Sequence, residues 1–385
     1  MDARKKRKLI RQVRGWTIIV VALALIIAVL WGIIALAVNL ISSAFSSAGD
    51  VKYDLPAPYV QSAELEEFSG RVEHIFFHPL IAYPELTFDD DYMSRGFDEW
   101  FVTVNEFNKI MDSLYEKNFI LVNAHDLFDE SDGTFRRKKL MLPKGKKPII
   151  ISIDDTNYYT YMQENGTVHR LILDSNNNVA SYTKHSDGRE TIDRDRCIIP
   201  LIDDFVSRHP DFSHNGAKAC IGLTGFEGVL GYRTHADSPN RQSEIEAVKP
   251  IIARLKATGW TFASHSYAHD DTSALSYDEL NDDCTKWRNE VESLIGATPI
   301  YLYPYGSAVP ADDPKFGLLT SYGFKAMCAV GVESYIVYHD NALAMDRRHV
   351  DGIAFRFQRE QNLDLYDANE ILDPVRPAEY QYPED

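Results

Sequence analysis

Cysteine is scarce in this sequence, and the few cysteines are far apart. The 385 residues contain only Cys197, Cys220, Cys284 and Cys328, with no CxxC spacing. Four cysteines are too few for a disulfide framework in a domain of this size, and without that spacing they form no metal-binding motif. Cys220 and Cys328 lie in apolar, strand-like runs. We therefore interpret the cysteines as buried thiols, with two disulfides as the alternative.

Basic residues are in deficit over most of the chain. The sequence has 40 Lys and Arg against 57 Asp and Glu, for a net charge of −17. Residues 1–15 contain seven basic residues and one acidic residue (net +6), which leaves −23 for the rest. An acidic body argues against a nucleic-acid partner, because phosphate contacts need clustered Lys and Arg. It would also be repelled by anionic lipid headgroups.

Charged residues are absent from Gly15 to Gly49, and residues 16–41 are almost wholly apolar. A run of this length exceeds the roughly 20 residues that a membrane-spanning helix needs. Basic residues precede the run and acidic residues follow it, so the positive-inside rule predicts a cytoplasmic segment at 1–15, one transmembrane helix at 16–41 and an extracellular remainder. The predicted location is therefore the cell membrane. A cleaved signal peptide is the alternative, although so long an apolar core is atypical of one.

The remaining chain divides by composition. Residues 42–70 are rich in Ser, Ala, Pro and acidic residues, which predicts an extracellular stalk. Residues 71–355 form the predicted domain. Turn signals within 163–196 predict a β-meander inserted into it, and the Pro- and acid-rich residues 356–385 predict a surface tail.

Short β-branched or aromatic runs alternate with helical periods through the domain. The predicted strands are VEHIFF (72–77), FILVNAH (119–125), KPIIISI (147–153), KACIGL (218–223), WTFASH (260–265), IYLYPYG (300–306) and FKAMCAV (324–330). This alternation of strands and helices predicts an α/β fold with a parallel sheet and crossover helices. About seven repeats predict closure into a (β/α) barrel, with an open doubly wound sheet as the alternative.

Two strand ends carry residue types that bind metals. Asp154 and Asp155 follow KPIIISI, and His265 and His269 follow the strand that begins WTFA. Two His four positions apart can bind one ion. If both strand ends meet on one face of the barrel, one carboxylate and two imidazoles form a ligand set for Zn²⁺ or a similar divalent ion, and the other carboxylate is left to act as a base. A salt-bridged acidic pair with solvated histidines is the alternative.

These residues stand in motifs that resemble those of the polysaccharide deacetylases (carbohydrate esterase family four, the NodB-homology domain). KPIIISIDD resembles the first motif, T-F-D-D-G, and HSYAH matches the second, H-[ST]-x-x-H. YLYPYG resembles the third motif, and IFFHPLI is similar to the His-containing opening strand of many members. The motifs stand in the family's order, and the resemblance covers roughly residues 71–355.

The resemblance implies a metal-dependent hydrolase that removes N-acetyl groups from amino sugars of a cell-surface or wall polysaccharide. It implies Asp155, His265 and His269 as ligands of a divalent metal, with Zn²⁺ the expected ion. Asp154 would be the catalytic base, with water on the metal attacking the acetyl carbonyl. The backbone N–H of Tyr305 would donate to the oxyanion that forms.

Several positions depart from the family pattern. Thr156 replaces Gly, and Leu302 stands where many members carry Arg. Arg347 resembles a late-strand arginine that orients the base in some subgroups, with Arg348 as the alternative. The family's Leu-x-His acid motif has no clean match, so His339 is a candidate catalytic acid. His78, in the opening strand, is an equally open candidate.

Two other functions stay open. The same site could hydrolyse a non-sugar amide, or the domain could be a catalytically inactive relic that only binds glycan. Several tyrosines in predicted loops could stack on sugar rings or simply pack: Tyr158, Tyr159, Tyr161, Tyr267 and Tyr305. Peptidoglycan, an exopolysaccharide and a chitin-like oligomer are not distinguished by the sequence.

Overall fold

The computed structural model describes residues 64–378. The predicted basic segment at 1–15, the predicted transmembrane helix at 16–41 and most of the predicted stalk lie outside these residues. Among the residues described, no helix is both long enough and apolar enough to span a membrane.

The secondary structure within the described range alternates strands and helices. The strands are β1 (Leu65–Glu67), β2 (Glu73–Phe77), β3 (Phe119–Leu121), β4 (Phe128–Asp129), β5 (Arg136–Arg137), β6 (Met141–Pro143), β7 (Lys147–Ile153), β8 (Arg170–Leu173), β9 (Val179–Lys184), β10 (Glu190–Asp193), β11 (Cys220–Leu223), β12 (Thr261–Ser264), β13 (Ile300–Leu302), β14 (Ala326–Val330), β15 (Ile336–Tyr338) and β16 (Leu343–His349). The helices are α1 (Pro84–Thr87), α2 (Ser94–Trp100), α3 (Val104–Glu116), α4 (Thr160–Glu164), α5 (Ile198–Arg208), α6 (Arg241–Ala257), α7 (Tyr277–Trp287), α8 (Ser293–Ile295), α9 (Pro314–Ser321), α10 (Gly352–Phe357) and α11 (Ala368–Ile371). A π-helical turn joins α7 to α8.

Seven parallel strands form a closed barrel. Their order is β2, β7, β11, β12, β13, β14 and β16, and β16 pairs back to β2. β7 and β11 pair over only two residues of each strand: Cys220 pairs with Ser152, and Ile221 pairs with Ile153. The prediction of a (β/α) barrel is confirmed, and the open sheet is excluded.

One predicted strand stands outside the ring. FILVNAH supplies β3, which pairs with the amino-terminal half of β7, from Phe119↔Lys147 to Leu121↔Ile149. The seventh strand of the barrel is β16, which the sequence pattern did not reveal. Its second half, DRRH, is charged, and buried ion pairs take the place of the apolar side chains that normally mark a strand.

Side chains alternate between the barrel interior and the layer beneath the helices. Along β7, Ile149, Ile151 and Ile153 pack with the core that includes the helices, whereas Ile150 packs inside the barrel. The interior cluster also includes Cys220, Ala263, Ile300, Leu302, Ala326, Cys328, Leu343 and Met345. Side chains along a strand point to the same face at every second residue. The inward face of β7 therefore continues from Ile150 to the polar residues Ser152 and Asp154 at the carboxyl end of the strand.

The four cysteines are buried free thiols. Burial raises the pKa of the Cys197 thiol to about 11 and that of Cys220 to about 12. A thiol with so high a pKa is a poor nucleophile at neutral pH. The cysteines therefore fill space in the core, as their apolar surroundings predict.

A three-stranded antiparallel meander occupies the region of the predicted insertion. Its strands run in the order β10, β9, β8. The N–H of Leu171 donates to the carbonyl of Leu230 at 3.1 Å, which ties the meander to the loop after β11. Gly231 has a φ of +88°, and a Cβ there would lie 2.3 Å from Arg170 Cβ, so this close approach requires glycine.

Both ends of the domain extend beyond the predicted boundaries. β1 lies within the predicted stalk, yet it pairs antiparallel with β6. Residues 356–378 belong to the predicted surface tail, but Leu365 and Tyr366 within them are fully buried. The prediction of a surface tail rested on the proline and acidic residues of this segment and did not take account of its few apolar side chains, which pack on the domain. The domain therefore includes nearly all of the described residues.

A buried arginine explains why the C-terminal segment packs on the domain. Arg376 donates through Nε and Nη2 to the Glu106 carboxylate, at 2.6 and 2.8 Å. Its Nη1 donates to Asp98 at 2.6 Å, and Asp98 also pairs with Arg356. Glu106 closes the capping box of α3 with Thr103. The C-terminal segment thus holds α2 and α3 by their charged groups.

We expect Arg376→Met to lower the free energy of unfolding by about 3–5 kcal/mol, because the carboxylates of Asp98 and Glu106 would stay buried with fewer partners. Urea denaturation of the 385-residue protein, followed by circular dichroism, measures this change. Val375→Ala alters an exposed neighbour and should stay within about 0.5 kcal/mol of the wild type. If Arg376→Met were as stable as the wild type, these ion pairs would not hold the segment.

Candidate active site

A cavity of about 770 Å³ lies at the carboxyl ends of the barrel strands. Its wall is formed by Phe76, His78, Trp100, Phe101, Asp154, Asp155, Tyr159, Tyr161, Phe226, His265, Ala268, His269, Asp270, Tyr303, Tyr305, Gly306, Val330, Arg347, His349, Ile353 and Gln358. The cavity brings together the predicted metal ligands with Asp154, Tyr305, Arg347 and His78, but His339 does not line it. Of the tyrosines that could stack on sugars, Tyr158 and Tyr267 do not line it either. Strand ends that are far apart in the sequence meet here because the barrel is parallel and closed.

Asp155, His265 and His269 form a compact group. Their ligand atoms all lie within 4.8 Å of one another, and Asp155 Oδ2 is 3.7 Å from His269 Nε2. Asp155 is the second residue after β7, and both histidines follow β12. One carboxylate and two imidazoles match the donor set of a catalytic zinc site, which keeps further positions open. These residues therefore fit a divalent ion.

The backbone of β13 sets the tautomer of His265. His265 Nδ1 lies 2.8 Å from the carbonyl oxygen of Leu302, so Nδ1–H donates and Nε2 carries the lone pair. Burial lowers the pKa of His265, although Asp154 and Asp155 oppose the shift. The imidazole is therefore neutral, as metal binding requires. The contact uses the main chain of Leu302, so it does not depend on an arginine at that position.

Tyr159 orients Asp155. Its hydroxyl donates to Asp155 Oδ1 at 2.8 Å and also contacts the hydroxyl of Thr224. Burial, and then the charge of Asp155, raises the pKa of Tyr159 well above its ordinary value, so the hydroxyl keeps its proton. With Oδ1 engaged, Oδ2 is the oxygen that faces His269. The sequence pointed to Tyr159 only as a candidate for stacking on sugars.

Three site residues have left-handed backbone conformations. The φ angles are 53° at Asp155, 59° at His269 and 56° at Tyr305. Each such residue costs about 1–3 kcal/mol, so the surrounding contacts must hold it. Around the second motif, Asp283 accepts the N–H groups of Tyr267 and Ala268, at 2.9 and 3.0 Å. The strain is therefore concentrated where the predicted ligands converge.

Asp154 lies deeper and is paired with Arg347. Arg347 Nη1 donates to Asp154 Oδ1 at 2.7 Å, and His265 Nε2 lies 3.7 Å from Asp154 Oδ2. Burial acts to raise the pKa of Asp154, but the guanidinium of Arg347 outweighs it and holds that pKa well below its usual range. Asp154 is therefore ionised and can accept a proton.

The two adjacent arginines face opposite sides of β16. Arg347 points into the barrel, where it also donates to Ser152 Oγ at 3.1 Å and lies 4.4 Å from the centre of the Phe76 ring. Arg348 points outward to Glu73 and Asp364, at 3.2 and 2.8 Å. The geometry therefore places Arg347, and not Arg348, beside Asp154.

His339 lies away from the cavity. It is in the turn between β15 and β16, with its ring 5.5 Å from that of Phe316. Because β16 is parallel to the other barrel strands, this turn is on the face opposite Asp154. His339 is therefore not positioned to act as the catalytic acid, and the prediction fails because the histidine precedes the strand rather than following it.

Two other histidines line the cavity instead. His78 Nδ1 donates to the carbonyl of Trp100 at 3.0 Å, and His78 Nε2 lies 4.0 Å from Asp155 Oδ2. His349 Nδ1 donates to Asp351 at 2.8 Å, and its Nε2 lies 2.8 Å from the side-chain nitrogen of Gln358. Sequence reasoning missed His349, although its position two residues after Arg347 places it on the same inward face of the strand.

Tyr305 lies at the mouth of the cavity. Its side chain is 71% exposed, and its ring centre is 4.8 Å from that of His269. The following residue, Gly306, has a φ of +69°, and a Cβ there would lie 2.4 Å from Val330 Cβ. Glycine thus lets this turn press against β14 and places Tyr305 beside a predicted metal ligand.

One segment of the chain, which contributes residues to this cavity, matches a known protein family. Residues 234–327, which include His265, His269 and Tyr305, match the family model described as polysaccharide deacetylase. The comparison with curated proteins found no match.

Three solved structures resemble the chain weakly. The Streptococcus pyogenes deacetylase PplD in complex with acetate has 12% identity and a TM-score of 0.42, and the match covers 80% of this chain and 100% of the other. A de-N-acetylase from Aggregatibacter actinomycetemcomitans has 14% identity and a TM-score of 0.43, and the match covers 73% of this chain and 95% of the other. A putative polysaccharide deacetylase from Mycobacterium smegmatis has 15% identity and a TM-score of 0.27, and the match covers 42% of this chain and 48% of the other.

We expect the 385-residue protein to bind Zn²⁺ and His265→Ala to weaken that binding by at least about 100-fold, since a direct ligand is lost. Tyr159→Phe keeps the three predicted ligands but removes the hydroxyl that donates to Asp155, and should weaken binding by about 10–100-fold. His339→Ala is the matched control and should bind like the wild type. Isothermal titration calorimetry measures all three. Unchanged Zn²⁺ affinity in His265→Ala would place the metal elsewhere.

Proposed function

We propose that this protein is a metal-dependent deacetylase that hydrolyses N-acetyl groups of amino sugars in a polysaccharide. The observation that carries the proposal is one cavity in which the Asp154–Arg347 pair lies next to Asp155, His265 and His269. The match of residues 234–327 to the polysaccharide deacetylase family model supports the same chemistry independently of that geometry.

The two aspartates have separate roles in this proposal. Asp155, with His265 and His269, would hold a divalent ion, which lowers the pKa of a bound water and polarises the acetyl carbonyl. Asp154 accepts the proton from the attacking water. Its Oδ1 is engaged by Arg347, so Oδ2, which faces His265, is the oxygen that accepts it.

We assign the proton donor for the leaving amine to His78. Its Nδ1–H is tied to the Trp100 carbonyl, which directs Nε2 into the cavity toward Asp155. His78 would enter this step with both ring nitrogens protonated, pass the Nε2 proton to the amine and leave the step neutral. His349 is the second candidate, because it lines the same cavity and its Nδ1 is held by Asp351. The Nε2 of His349 already contacts Gln358, however, and that side chain would have to move before His349 could donate.

The wall of the cavity suits an acetamido group. The backbone N–H of Tyr305 would donate to the carbonyl oxygen as negative charge develops there. Phe76 and Val330 provide an apolar surface for the methyl group. The Asp154–Arg347 pair favours an enzyme over an inactive glycan-binding relic, because it keeps a buried carboxylate ionised beside the predicted metal ligands.

The location is also part of the proposal. Residues 16–41 would anchor the protein in the cell membrane with its acidic domain outside, within reach of a surface or wall glycan. Peptidoglycan, an exopolysaccharide and a chitin-like oligomer are the substrates to compare.

We expect the 385-residue protein to release acetate from N-acetylglucosamine oligomers or wall glycan, and chelation of the metal to abolish the release. Asp154→Asn should keep the metal and lower kcat by about 10²–10⁴-fold, because the base is lost. Acetate assays with parallel metal analysis test both statements. Full activity in Asp154→Asn would contradict the base assignment. Activity on small acyl amides alone would favour a non-sugar amidase.

The identity of the proton donor gives a further test. His78→Asn should lower kcat by about 10²–10⁴-fold, whereas His349→Asn should have a smaller effect. Metal content must be measured in both variants, since His78 is close to Asp155. His339→Ala serves again as the control, with unchanged kcat. The opposite ranking of the two variants would make His349 the acid.

A further inference from the structure

The corner between α2 and α3 forms part of the cavity wall. Trp100 ends α2, Phe101 follows it, and both residues line the cavity. Both also contact His78. The Trp100 carbonyl accepts from His78 Nδ1 at 3.0 Å, and the centre of the Phe101 ring lies 5.3 Å from that of the imidazole. The direction of His78 Nε2 therefore depends on where this corner is held.

A guanidinium from the C-terminal segment holds the corner by its main chain. Arg376 is 2% exposed, and its Nη1 and Nη2 donate to the carbonyls of Asp98 and Phe101, each at 2.8 Å. These two carbonyls flank Trp100 in the chain. The last carbonyls of a helix have no partner within the helix, and a cationic donor is favourable at that end. Arg376 thus fixes the peptides on both sides of the group that orients His78.

The same guanidinium joins the two helices that meet at the corner. It donates to the Asp98 carboxylate on α2 at 2.6 Å and to both Glu106 oxygens on α3, at 2.6 and 2.8 Å. Arginine makes these bonds together because its donors form a rigid planar fork. A lysine ammonium has its donors on one nitrogen and cannot reach all of these partners. The corner therefore requires an arginine and not merely a positive charge.

A second element confines the end of α2 from another side. Gly352 is the first residue of α10, and a Cβ at that position would overlap the Asp98 carbonyl oxygen. Charge pairing with carboxylates would be enough to attach the C-terminal segment to the domain. The bonds to two carbonyls and the close approach of Gly352 add a constraint on the main chain at Trp100. This constraint bears on the cavity as well as on stability.

Resting on the proposed function, in which His78 donates the proton to the leaving amine, we propose that Arg376 is a positioning residue for that step. It acts through the corner, which holds His78 by the Trp100 carbonyl and the Phe101 ring. The C-terminal segment then serves catalysis as well as stability. A displacement of about 1 Å at a catalytic group can lower the rate by about 10²-fold, so a loosened corner would be detectable.

The first test is Arg376→Lys in the 385-residue protein, which keeps a cation between Asp98 and Glu106. It should lower kcat by about ten-fold, because the carbonyls around Trp100 lose their donors. Zn²⁺ affinity should be unchanged, since the predicted ligands stand on the loops after β7 and β12. Val375→Ala is the matched control and should keep the wild-type kcat. If circular dichroism shows Arg376→Lys unfolded, Gly352→Ala displaces the same corner from the other side.

A double-mutant cycle separates positioning from general damage. In the His78→Asn background, Arg376→Lys should cause no further loss of kcat, because its effect passes through His78. An equal loss of kcat in both backgrounds would show a merely structural role and overturns the proposal. An unchanged kcat in the folded single variant overturns it as well.

A second readout does not depend on acetate release. The Nδ1 proton of His78 is bonded to the Trp100 carbonyl, and NMR of the protein labelled with ¹⁵N-histidine follows its exchange with solvent, with His78→Asn assigning the signal. Arg376→Lys should speed this exchange by about ten-fold, because the corner opens more often. If the wild type releases no acetate, faster exchange supports the positioning and contradicts the proposed function, whereas unchanged exchange overturns both.

Discussion

The buried ion pair between Arg347 and Asp154 is the interaction on which the site depends. It joins β16 to β7 across β2, inside a closed barrel whose lower interior is apolar. Neither charge could be tolerated there without the other, since an unpaired buried charge is strongly destabilising. The pair therefore requires that the barrel close with these strands as near neighbours. It also keeps Asp154 ionised at a depth where burial alone would favour its neutral form.

The predicted ligands are held by groups that lie outside the motifs. The Leu302 carbonyl sets the tautomer of His265, and the Tyr159 hydroxyl orients Asp155. Asp283, on α7, ties down the turn that leads to His269. These contacts offset the strain of left-handed residues and fix the directions of the ligand atoms. The same tyrosine also packs against the rings of Tyr161 and Phe226, so the aromatic wall of the cavity and Asp155 share a support.

Much of the site was predictable because its residues follow apolar strands. KPIIISI and WTFAS are recognisable as strands, and the aspartates and histidines after them could be expected on one face of a barrel. β16 was not recognisable, because its charged half is compensated by partners far away in the sequence, such as Glu73 and Asp154. The C-terminal segment was predicted to be a surface tail for the same reason, because Arg376 pairs with Glu106, which is far away in the sequence.

The sequence by itself determined the class of fold, the residue types at the site and their order along the chain, since hydrophobic runs and the residues that end them are local properties. Only the tertiary structure decided that Arg347 rather than Arg348 meets Asp154, and that His78 and His349, rather than His339, line the cavity. Those outcomes depend on which strands close the barrel and on which face of a pleated strand each residue occupies. Both are set by pairing between distant parts of the chain.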